Sequence, residues 1–120
     1  MGTRSEQDYV NLLRRRWPRG EDASLEVLGI ADEAVAAFPH STSLWCMRAA
    51  LIQLGSGDAP YTLDEALASY QRALAADPSS VEALEDIAHF YDAVRGDSEK
   101  AATYFAQAKQ ARSNAGTKHE

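Results

Sequence analysis

Leu44-Trp45-Cys46-Met47-Arg48-Ala49-Ala50-Leu51-Ile52-Gln53-Leu54 and Leu84-Glu85-Asp86-Ile87-Ala88-His89-Phe90-Tyr91-Asp92-Ala93-Val94 write one pattern twice. Large apolar residues recur as Leu44, Met47, Leu51 and Leu54, then as Leu84, Ile87, Tyr91 and Val94. Steps of three and four place each set on one helical face. After each copy comes a second helical segment with a small-aromatic-small rhythm. The first is Ala66, Tyr70 and Ala73 before Asp77-Pro78; the second is Ala101, Phe105 and Ala108. A bulky face opposite a small-residue face is the pattern of a close-packed helical hairpin.

Working outward, the same logic predicts six helices. Helix 1 opens at Ser5, with Asp8 completing a capping box, and ends before Trp17-Pro18-Arg19-Gly20. Helix 2 covers about 22–37, with Gly29 inside it at a cost of roughly 1 kcal/mol relative to alanine; a closely packed neighbour would account for it. Helix 3 is capped by Ser41 or Ser43 and runs to about Leu54. Gly55–Tyr61 is a loop by composition. Thr62 caps helix 4, which ends at Ala76, and the Ser79-Ser80-Val81-Glu82 box opens helix 5. Helix 6 runs from about Ser98 to Arg112. Residues 1–4 are expected to be loose, 5–113 to form one domain with repeats of about 5–39, 41–80 and 81–112, and 114–120 to form a flexible tail.

Composition narrows the function. The 120 residues are 45% hydrophobic and 25% charged, with a net charge of −6, as in an ordinary globular domain. The acidic balance argues against nucleic acid as a partner. No run is long and apolar enough for a membrane span, and the first residues lack the apolar segment of a signal peptide. A single cysteine, Cys46, excludes an intrachain disulfide and points to a reducing, cytoplasmic setting. Catalysis finds no support: Cys46 has no basic neighbour in sequence to activate it, and no phosphate-cradling loop occurs. No cofactor and no metal are expected. Glu85, Asp86, His89 and Asp92 share a helical face, which reads as solvated surface because metal ligands usually converge from several elements.

Three antiparallel helix pairs of this kind resemble a tetratricopeptide repeat array, whose signature sets large and small residues on one helix against Ala, aromatic, Ala and Pro on the next. Leu84, Ile87, Ala88, Tyr91, Ala101, Phe105 and Ala108 match it, as do Leu44, Met47, Leu51, Ala66, Tyr70, Ala73 and Pro78, with Arg48 at a position meant for a small residue. Ala31, Ala34 and Pro39 carry the weaker first repeat. The resemblance implies an all-α fold: three repeats stacked as a short right-handed superhelical solenoid. From Leu44 to Leu84 the spacing is 40, against the usual period of about 34. The excess lies in Gly55–Tyr61, either as a tolerated insertion or as a place where Asp58 and Tyr61 touch a partner. The inter-repeat positions Leu28, Val35, Leu67 and Leu74 become Ala102 and Lys109 in the third repeat, as expected of an array that ends there.

In such arrays the first helices line a concave groove for an extended peptide or helix of another protein. Aligning Leu44 with Leu84 puts Thr42, Trp45, Ala49 and Ile52 in that groove beside Glu82, Glu85, His89 and Asp92, with Arg15 reaching in from helix 1. Counting from Pro39 instead buries Trp45 and puts Cys46, Ala50 and Gln53 in the groove. Residues 1–20 hold five basic and two acidic residues, whereas 81–100 hold two basic and six acidic ones, so the groove would be charged oppositely at its ends. Glu82, Glu85 and Asp86 stand where the carboxylate clamp of some family members needs cations, which excludes that ligand. The expected function is an adaptor, with a peptide or helix bearing basic residues as partner. A self-assembling unit that dimerises end to end, or a small secretion-type chaperone, is the alternative. The oligomeric state expected is a monomer or weak homodimer.

Overall fold

Six helices build the protein in a computed structural model that describes residues 3–117. They are α1 (Glu6–Arg15), α2 (Leu25–Ala37), α3 (Thr42–Gln53), α4 (Leu63–Ala76), α5 (Val81–Ala93) and α6 (Ser98–Thr117). Five begin on a hydroxyl side chain, Ser5, Ser24, Ser41, Thr62 or Ser80, which accepts a bond from the backbone N–H three residues on. Each cap satisfies a donor that the helix itself leaves orphaned. At Ser5 the box is reciprocal, since Asp8 also accepts from the Ser5 N–H. Asp97 plays the same part for α6 by accepting from the Lys100 N–H.

The helices pair as α1–α2, α3–α4 and α5–α6, and α1, α3 and α5 lie side by side. This is an all-helical repeat solenoid, flat in outline at 44 × 37 × 23 Å. Small residues permit the close approach: Ala31, Ala34, Ala49, Ala66, Ala73, Ala83 and Ala88 are fully buried. Between them sit Leu13, Leu28, Leu44, Leu51, Ile87 and Phe90, also buried. Edge-on aromatic pairs join Tyr9 to Phe38 and Tyr70 to Phe90, and Tyr91 stacks on Tyr104. At the interfaces between repeats Leu28 and Val35 are buried and Leu67 and Leu74 half-buried, whereas Ala102 and Lys109 are exposed.

Several boundaries differ from the sequence reading, each for a local reason. Helix α2 starts at Leu25 rather than near 22, because Ala23 is extended and donates its N–H to the Leu54 carbonyl at 2.7 Å. Ser80, not Ser79, caps α5; Ser79 is bound instead in a turn to Asp77. Helix α6 continues past Arg112 to Thr117, with Gln110 bonded to Asn114 one turn on; residues 118–120 of the expected tail lie outside the described residues. At the other end Met1 and Gly2 also lie outside them; Arg4 pairs with Glu33 at 3.2 Å and lies over the Tyr9 ring. Gly29 is exposed and nothing stands within 4 Å of where its Cβ would be, so no packing demand explains it. Among the described residues, no helix is long and apolar enough to cross a membrane.

Candidate binding faces on either side of helix 3

Helix α3 is the middle wall of the solenoid, and the caps set its register. Ser41 and Ser80 are equivalent starts, so Trp45 corresponds to Leu84, Arg48 to Ile87, Ala49 to Ala88 and Ile52 to Tyr91. Burial agrees: Ala49 and Ala88 are both inaccessible, and Ile52 and Tyr91 are nearly so. The true offset is therefore 39 residues, one less than the Leu44–Leu84 alignment. Arg48 occupies an interior position where α5 carries isoleucine, and Ala49 is the small residue.

That one-residue shift turns α3 by about 100° and decides which side chains face inward. On the inner face a hollow of about 180 Å³ is lined by Trp17, Cys46, Met47, Ala50, Glu82 and Asp86. Trp17 comes from the turn after α1, where its N–H bonds the Arg14 carbonyl. The floor is apolar and sulfur-rich; the α5 wall is acidic. Burial, then the nearby Glu82 charge, pushes the Asp86 carboxyl up to about 6, although His89 acts the other way. Burial, with Asp86 and Glu82 adding to it, pushes the Cys46 thiol up to about 12, so the thiolate that a nucleophile needs is suppressed. Neither Glu82 nor Asp86 forms an ion pair among the described residues.

The outer face of α3 is different. There a cleft of about 350 Å³ opens between α2 and α4, lined by Asp32, Val35, Trp45, Arg48, Ala68, Ser69 and Arg72. Its base is a hydrogen-bonded network. Arg48 donates to Asp32 at 2.8 Å and to the buried Ser69 hydroxyl at 2.6 Å. Tyr61 donates to the other Asp32 oxygen at 2.6 Å. The network lets an arginine occupy an interior position without leaving a buried charge unpaired. The Trp45 indole donates to the Pro39 carbonyl at 2.8 Å, and Arg72 lies over its ring at 5.6 Å.

No family model matches the chain, and no curated protein matches it. Among solved structures, that of MamA superposes with a TM-score of 0.73 at 17% identity, over 94% of this chain and 61% of that one. The fold is TPR-like. The chain thus spans less than two thirds of the structure it resembles.

With a TPR-like fold in hand, the predicted groove residues can be placed one by one. Glu82 lines the inner hollow. Trp45 does not: it faces the outer cleft. Thr42 is turned to α4, donating to the Ala73 carbonyl at 3.1 Å, and Ala49 and Ile52 are core. All four were displaced by the same register error. Glu85 pairs with Arg112 of α6 at 2.9 Å, and His89 meets the Phe105 ring edge-on at 4.9 Å, so both border α6 instead of the hollow. Asp92 and Arg15 are exposed and stand outside its lining. Of the alternative set, Cys46 and Ala50 line the hollow, whereas Gln53 bonds the Tyr70 hydroxyl at 2.9 Å. Tyr61 is folded onto Asp32, so it serves the protein's own packing; Asp58 is exposed.

Sequence reasoning missed Trp17, Met47 and Asp86 as a group. Asp86 was legible as an acid on the right helix. The Ser41 and Ser80 caps were the signal that would have brought Met47 in as its counterpart. Trp17 had no such signal, because its place depends on the path of the turn after α1.

Proposed function

We propose that the chain is a protein-interaction module whose inner face takes a partner segment carrying an arginine or lysine beside an apolar side chain. The carrying observation is the pairing of two carboxylates, Glu82 and Asp86, neither in an ion pair among the described residues, with an apolar floor of Trp17, Met47 and Ala50. A guanidinium or ammonium group offsets the repulsion between the two acids, and its aliphatic stem covers the floor. Tryptophan is a frequent energetic anchor in such sites.

The test is calorimetry with a blocked peptide alternating arginine and leucine. Binding weakens by about tenfold or more in Glu82→Lys/Asp86→Lys, as expected for lost charge-assisted bonds. Affinity rises with pH through about 6, as Asp86 loses its proton. Unchanged affinity in the double variant would remove the reading. A second reading, end-to-end dimerisation, is supported by Ala102, Phe105 and Ala106 exposed together on α6. Sedimentation as a monomer at high concentration would eliminate it.

A further inference from the structure

We propose that the cleft on the outer face of α3 is a second binding site, which takes an aspartate or glutamate side chain of a partner protein next to an apolar one. It does not rest on the inner-face reading. Three observations carry it. First, the cleft is pre-built: Trp45 is held by Pro39, and Arg48 and Tyr61 are both held by Asp32. Little side-chain freedom is left to lose on binding.

Second, the charge is unbalanced in one direction. Asp32 has both oxygens engaged, one by Arg48 and one by Tyr61. Arg72 has no carboxylate partner among the described residues; Arg14, Arg15 and Arg19 have none either, but of these four Arg72 alone lines the cleft, over the Trp45 ring. In a chain of net charge −6, a cleft with two arginines and one neutralised acid carries the minority sign. The guanidinium of Arg72 keeps its fork of donors for a carboxylate, which it can hold bidentately.

Third, the apolar part of the cleft adjoins that cation. Val35 and Ala68 line it with the Trp45 ring, so an apolar neighbour of the bound acid has somewhere to go. A volume of about 350 Å³ suits a few side chains of an extended segment. The outer cleft therefore selects acidic side chains and the inner hollow basic ones.

The experiment uses the full chain carrying Trp17→Phe, so that Trp45 alone reports. A blocked peptide alternating glutamate and leucine is titrated while tryptophan emission is followed. Its glutamine counterpart and potassium acetate, at equal carboxylate concentration, are run in parallel. The proposal expects a saturable change with the acidic peptide and binding about tenfold weaker or worse in Arg72→Glu. It also expects no comparable change with the glutamine peptide or with acetate, and no loss in Gly29→Ala, a position on neither face. Calorimetry on the chain with both tryptophans should give the same ranking of peptides. No saturable response, an undiminished one in Arg72→Glu, or an equal one with acetate would overturn it.

Discussion

Helix α3 shows one tryptophan-bearing hollow to each side, and the two are built on opposite plans. Inside, Trp17 and Met47 border the acids Glu82 and Asp86. Outside, Trp45 borders the arginines Arg48 and Arg72. The inner acids form no ion pair among the described residues, and burial raises Asp86. The outer base is filled with hydrogen bonds, and Arg72 lies over Trp45 with no carboxylate partner among the described residues. One helix borders both, with Leu44, Ala49 and Leu51 fully buried in its core. Shared positions make the scaffold; the specificity proposed for each face rests on where the two differ.

The strongest way to break this comparison is to remove the shared wall. Leu51 is fully buried, and Leu51→Ala is expected to cost about 2–5 kcal/mol in urea unfolding and to weaken peptide binding at both faces together. Loss at one face alone would mean that the two do not share α3 as support. A more selective cut is Arg48→Ala. It strips the base of the outer cleft, where the Arg48 side chain is 17% exposed and that of Asp32 42% exposed. The expected cost is about 1–2 kcal/mol, with binding of basic peptides inside unchanged.

Asp86 sharpens the inner side through pH. Folding raises its carboxyl from an ordinary 3.8 to about 6, so the folded chain binds the extra proton between those values. Stability from this group therefore falls as pH rises through that window. Asp86→Asn is expected to be about 1–2 kcal/mol more stable than the unaltered chain at neutral pH, and to lose that advantage below about pH 4. Denaturant midpoints across the range check the sign. The smallest effect belongs to a position on neither face. Gly29 has open space around its missing Cβ, and Gly29→Ala should raise stability by up to about 1 kcal/mol without altering either kind of binding.

Much of the fold was legible because local signals agreed. Hydroxyl caps, small-aromatic-small faces and Pro39 and Pro78 after the second helices all pointed to the same hairpins. The sites were harder, and Arg48 is the reason. An arginine at an interior position broke the large-apolar pattern of α3, so aligning on apolar residues slid the helix by one. The ion pair that makes the arginine tolerable comes from Asp32, on another helix, and no count along the chain reveals it. Tyr61 illustrates the same limit. Composition placed it in an insertion loop, but its hydroxyl closes the Asp32 network.

If the two faces choose opposite charges, the two tryptophans, Trp17 inside and Trp45 outside, report it separately. Emission of Trp17→Phe and Trp45→Phe chains should be followed with the same acidic and basic peptides. The chain keeping Trp17 is expected to respond to the basic peptide and the chain keeping Trp45 to the acidic one. The same peptide moving both tryptophans, or neither moving, would contradict it.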